Sequence, residues 1–123
     1  MKRMLLTLAV SLTIAAPAQA DCNSKACEKR VYTKHRKKAI KPFVPWLRTT
    51  GACESGTTRH LRHGLRAISP GGTYRGRYQF DMSSWSRAGG KGDPARAGWL
   101  EQAYRAVKWR KLVGAGAWPV CGH

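Results

Sequence analysis

Apolar residues change their spacing several times along this 123-residue chain, and each change marks an element. Leu5 to Ala16 is a nearly unbroken apolar run behind Lys2 and Arg3, and it ends in Pro17-Ala18-Gln19-Ala20. That is the layout of a signal peptide cut after a small-x-small site, and the run is too short to span a bilayer. Cleavage after Ala20 and export are therefore expected, and no second candidate membrane span follows. From residue 21 to 41 charge dominates, and only Ala26, Val31 and Ala39 suggest an apolar face. Asn23 or Ser24 can cap a helix that runs to about Ile40 before Pro42 stops it. Residues 21–44 thus read as a peripheral basic helical extension ahead of one domain, residues 45–123.

Pro45 suits a first helical turn, and Trp46, Leu47, Thr50 and Cys53 then recur at helical spacing, with Gly51 permitting close packing and Gly56 placed as C-cap. Residues 57–66 form a basic loop holding His60 and His63. Pro70-Gly71-Gly72 then separates Ala67-Ile68 from a run in which Tyr74, Gly76, Tyr78 and Phe80 alternate with Arg75, Arg77, Gln79 and Asp81. A period of two predicts a short β-hairpin with one aromatic and one polar face. Asp81 is placed to cap a short helix over 82–88, and Gly89 to Gly92 link it onward. Asp93-Pro94 predicts the start of the longest helix, a core helix striped by Trp99, Leu100, Ala103, Tyr104 and Val107 and ending near Gly114. The short apolar tail Ala117–Cys121 needs a tie, and Cys121 can supply it. The pattern predicts a small, mostly helical α+β domain.

Composition narrows the partners. Twenty-three Lys and Arg face six Asp and Glu, a formal charge of +17 that falls by two when the leader is removed. Such a protein is drawn to polyanions, and outside a cell those are wall polymers bearing phosphates and carboxylates. Any chain this basic binds DNA in a salt-dependent way, but the export signal and the lack of a recognised motif oppose a specific nucleic-acid role. Four cysteines, Cys22, Cys27, Cys53 and Cys121, form an even count in an exported chain, so two disulfides are expected and three pairings are open. Zinc held by His60, His63 and cysteines is disfavoured, since there is no Cys-x-x-Cys pair. No metal or cofactor is called for.

In so basic a chain a carboxylate is scarce. Glu54, within Ala52-Cys53-Glu54-Ser55-Gly56, falls in the last turn of its helix. The negative helix end and apolar neighbours should raise its pKa, as a general acid requires. An ordinary helix-end glutamate fits the pattern equally well.

The segments together are more telling. Ala-Cys-Glu-Ser-Gly at 52–56, Ser-Pro-Gly-Gly-Thr-Tyr-Arg-Gly-Arg-Tyr-Gln-Phe-Asp at 69–81 and Ser-Trp at 84–85 are followed by Gly-Asp-Pro at 92–94, Glu-Gln at 101–102 and Ala-Trp-Pro-Val-Cys-Gly at 117–122. In this order they resemble the transglycosylase-like catalytic domain of the resuscitation-promoting factors, over about residues 46–122. The resemblance implies a small lysozyme-like fold that cuts peptidoglycan glycan strands, with Glu54 as its catalytic glutamate. It implies a Cys53–Cys121 disulfide, worth about 4 kcal/mol of chain entropy, and so leaves Cys22 to pair with Cys27. Tyr74, Gln79 and Ser84 fall where the family lines its sugar groove, Ser84 in place of a more usual threonine, and Trp118 would be structural. Three features depart from the pattern. The stretch between Glu54 and Pro70 is longer and more basic, a Gly-Asn-Trp-like segment is missing, and Val113 stands where a polar residue is frequent.

Most glycosidases need two carboxylates. The candidates for a second are Asp21, Glu28, Asp81, Asp93 and Glu101. Only Asp81 lies near the expected cleft, and capping explains it as well. A lytic transglycosylase needs no second one, because the substrate's own C6 hydroxyl can close on its C1. The expected activity is therefore cleavage between N-acetylmuramic acid and N-acetylglucosamine by a secreted lytic transglycosylase. A lysozyme-type hydrolase is the alternative, and a non-enzymatic cationic wall-binding or antimicrobial protein is the rival from another class. A partner wall hydrolase is compatible with either enzyme.

Overall fold

A computed structural model describes Cys22 and residues 24–123. The expected leader, its cleavage site and Asp21 lie outside the described residues. Four α-helices run through the rest: α1 (Lys25–Ile40), α2 (Val44–Ser55), α3 (Met82–Arg87) and α4 (Trp99–Val113). The mostly helical fold expected from the pattern is what forms.

Ser24 caps α1, its hydroxyl accepting from the Cys27 amide at 3.2 Å. A 3-10 turn over Lys41–Phe43, with Pro42 in it, redirects the chain into α2, where Pro45 sits in the first turn. Helix α1 lies along α4. Its predicted apolar residues do not dock it, for Val31 is half-exposed, whereas Arg36 and Ile40 are buried. The Arg36 guanidinium stacks between the rings of Tyr32 (3.5 Å) and Tyr104 (4.2 Å) and pairs with Glu101, which also holds Arg105 at 2.7 Å. Tyr32 closes the group by donating to Glu101 at 2.9 Å. Aromatic stacking and a shared carboxylate replace an apolar stripe.

The core is built from Leu47 of α2, Trp85 and Ala88 around α3, and Ala103, Ala106, Val107 and Trp109 of α4, with Tyr78, Phe80 and Trp118 from the connections. The expected hairpin is reduced to two isolated antiparallel bridges, Ile68 with Arg75 and Arg75 with Phe80. Gly76 (φ 82°) and Gln79 (φ 49°) turn the chain back between them, so a period of two does not persist. Arg77, predicted on the polar face, is fully buried, and Tyr74, predicted on the aromatic face, is half-exposed. The helix predicted to be the longest, α4, has 15 residues against 16 in α1, and it also starts later than predicted. Asp93 caps a 3-10 turn over Pro94–Arg96, the chain extends at Ala97 and Gly98, and α4 begins at Trp99.

Candidate active site

Helix α2 ends where the sequence places Gly56, in left-handed conformation (φ 63°), with the Thr57 amide returning to the Ala52 carbonyl at 3.1 Å. Glu54 therefore sits half-buried in the last turn, where it lines a groove of about 350 Å³. The C-terminal tail, Ala117 to Cys121, lines the same groove, together with Tyr74 and Gln79. A smaller adjoining pocket of about 60 Å³ shares Tyr74, Gln79, Ala117 and Trp118 with the groove and is also lined by Asp81, Ser84 and Trp109. Tyr74 and Gln79 line both pockets, Glu54 only the first, and Asp81 and Ser84 only the second.

The tail is held in place from several sides. Cys121 is bonded to Cys53, the residue before Glu54, with Cα atoms 5.6 Å apart, and Cys22 is bonded to Cys27. Thr50 donates to the Cys121 carbonyl and Trp46 to the Gly122 carbonyl, each at 3.0 Å. Trp118 is buried, donates from its indole to the Tyr78 carbonyl at 2.9 Å, and meets the rings of Trp46 and Phe80 edge-on.

Burial raises the Glu54 pKa above the ordinary glutamate value. No hydrogen bond or ion pair engages its carboxyl group among the described residues, and no other part-buried carboxylate is so placed. Glu101 holds Arg36 and Arg105. Asp93 takes Arg75 through both oxygens, at 2.8 and 2.6 Å, which lowers it to about 2. Asp81 accepts from the Ser84 amide and hydroxyl, each at 2.8 Å, and the amide contact above all lowers its pKa. Glu28 is exposed on α1. A carboxyl group of raised pKa that lines a groove is better suited to donate a proton than a carboxylate tied to partners.

Gln79 is the one described non-glycine residue with positive φ, an uncommon conformation held only where the surroundings dictate it. Its amide nitrogen donates to the Gly76 carbonyl at 3.0 Å and to that of Ala67 at 3.3 Å, and its Oε1 accepts no hydrogen bond among the described residues. The Ser84 hydroxyl proton is used by Asp81, so Ser84 offers the adjoining pocket an acceptor. Tyr74 presents an exposed ring, with its amide fixed to Ser69 at 3.0 Å. Val113, at the exposed end of α4, lies outside the groove.

The tail backbone in the groove and Trp109 in the adjoining pocket were not singled out in the sequence. Only the apolar tail next to a cysteine could have signalled the former.

Residues 46–121, well over half the chain, match the family model of the transglycosylase-like domain. The chain belongs to that family. Within it, this transglycosylase-like domain is similar to the resuscitation-promoting factor Rpf of Micrococcus luteus, with 42% identity over 61 residues. That alignment takes in 50% of this chain and 27% of the relative, so the chain matches about a quarter of that protein's length. Glu54, its groove and the Cys53–Cys121 bond all lie inside the family match, and α1 lies outside it.

Proposed function

We propose that the chain is an exported, wall-associated enzyme that cleaves peptidoglycan between N-acetylmuramic acid and N-acetylglucosamine as a lytic transglycosylase. The observation that supports it most is Glu54 itself, a half-buried, unpaired carboxyl group of raised pKa in a groove of family residues.

Protonated Glu54 gives its proton to the bridging oxygen. The bond from that oxygen to C1 of the muramic sugar breaks, and N-acetylglucosamine leaves as the alcohol. The C6 hydroxyl oxygen of the same muramic sugar then bonds to C1, and its proton passes to the Glu54 carboxylate. A 1,6-anhydro ring results, no water is consumed, and Glu54 is restored. Because the nucleophile belongs to the substrate, its effective concentration is high and no second carboxylate is required. Asp81, the carboxylate of the adjoining pocket, has both oxygens engaged by Ser84, which favours this route over hydrolysis with Asp81 as base. Tyr74, Gln79, Asp81 and Ser84 are assigned to sugar binding, and the basic surface to retention on anionic wall polymers.

The test is solubilisation of purified peptidoglycan by residues 21–123 and by the Glu54→Gln variant. Loss of a positioned general acid predicts a fall of at least about 100-fold. Equal solubilisation by the two proteins would favour a cationic wall binder instead.

A further inference from the structure

No acidic residue lies between Glu54 and Asp81, and the loop over 57–66 in that interval exposes Arg59, His60, Arg62, His63 and Arg66. The loop is held as a fixed shape. Arg77 is fully buried beneath it and pairs with no carboxylate among the described residues. Its guanidinium donates instead to the carbonyls of His63 (2.7 Å), Thr58 (3.0 Å) and Arg48 (3.3 Å) and, at 3.4 Å, to the Thr57 hydroxyl. Gly51 of α2 leaves room for it, since a Cβ there would stand 2.3 Å from Arg77 Nε. At Gly64 (φ 69°) the backbone lies against Ser55, the neighbour of Glu54, so closely that a Cβ would meet the Ser55 hydroxyl at 2.3 Å. Leu61 packs on the core, and Arg62 lies 5.2 Å over the Trp99 ring.

The loop is joined at both ends to residues that line the groove, Glu54 and Gln79. It begins three residues after Glu54, and it leads into Ala67, whose carbonyl accepts from the Gly76 amide (2.7 Å) and from Gln79 Nε2 (3.3 Å). Long-range attraction alone would be served by a floppy basic loop. Burying a guanidinium without a counter-charge is costly, and makes sense where the position of the exposed charges matters.

We propose that the Arg77-clamped loop is a carboxylate-binding platform beside the groove that engages the stem peptides of the strand being cut, chiefly through Arg59 and Arg62. The inference rests on the peptidoglycan reading above. Each muramic sugar carries its peptide next to the bond presented to Glu54, so a seated strand brings free carboxylates to the groove's rim. Arginine's planar fork matches a carboxylate through two parallel hydrogen bonds. Phosphates of wall polymers are the other source of anions, and the experiment separates them.

Glycan strands freed of phosphate polymers are prepared in three forms: with free stem carboxylates, with the same peptides amidated, and stripped of peptide. Affinity is read with the Glu54→Gln protein, which needs no turnover, and kcat/KM with the parent. Two exposed charge pairs at up to about fivefold each predict about tenfold tighter binding of the free-carboxylate strand at low salt. The amidated and stripped strands should bind alike, and Arg59→Gln with Arg62→Gln should bring all three near parity. Equal affinity for all three strands, or a preference that survives the double change, would overturn the platform. A preference seen only when phosphate polymers are retained would overturn the carboxylate assignment. If the parent cleaves nothing while the binding preference holds, the catalytic reading fails and the platform stands.

Discussion

The Cys53–Cys121 bond spans 68 residues and ties the tail that lines the groove to the helix that carries Glu54. Replacing both cysteines by alanine frees that loop in the unfolded chain, and chain entropy puts the loss at about 4 kcal/mol at 25 °C. The Cys22–Cys27 bond spans only five residues at the start of α1, and its removal should cost about 2 kcal/mol at most. The tail keeps three other anchors, from Trp46, Thr50 and Trp118, worth about 1 kcal/mol each, so the variant should still fold. For a domain of this size the unfolding entropy converts 4 kcal/mol into a fall in Tm of about 20 °C. Calorimetry on residues 21–123 would read it, with Cys22→Ala/Cys27→Ala alongside. A fall of less than about 5 °C, or a larger effect from the N-terminal pair, would show that the Cys53–Cys121 loop does not carry this stability.

Glu54 should be paid for in stability. Its folded pKa is raised, so the folded state holds the proton more tightly than the unfolded chain. That benefit is complete below the ordinary glutamate pKa and is lost as pH rises through the folded value. Glu54→Gln should therefore be more stable than the parent near neutral pH, with the gap closing in acid, as urea midpoints would show. Gly51→Ala drives a Cβ into the pinned Arg77. Overpacking of about 1–3 kcal/mol should exceed the gain of about 1 kcal/mol in helix propensity, seen as a lower urea midpoint at unchanged m. Glu101→Gln leaves buried Arg36 without its counter-charge. A loss of about 2–3 kcal/mol is expected, below the range for fully buried pairs because Glu101 is part-exposed, with earlier amide exchange across α1 than across α2.

The elements that announce themselves by caps and breakers were legible: Ser24, Pro45, Gly56 and Asp81 stand where local chemistry puts them. Glu54 could be found because carboxylates are rare here and a family motif surrounds it. Other features depend on tertiary neighbours and were not legible. Alternation assigned Arg77 to a polar face, yet it is buried and donates to carbonyls of two distant segments, α2 and the 57–66 loop. The same alternation suggested strands, but left-handed turns at Gly76 and Gln79 fold the run onto itself and leave Tyr74 on the groove. Helix α1 read as a peripheral extension because hydrophobic patterning does not see an arginine stacked between two tyrosines. Asp93-Pro94 is a genuine start signal, but the turn it opens ends at Ala97, before α4.

In the proposed mechanism Glu54 alone serves as acid and then base, with the substrate's own hydroxyl as nucleophile. Mass spectrometry of the fragments released from purified peptidoglycan by residues 21–123 tests it most directly, with Glu54→Gln as control. Fragments one water lighter than the reducing forms, and absent with Glu54→Gln, are the predicted result. Fragments with reducing ends would contradict it and return Asp81, or a water held near it, to the mechanism.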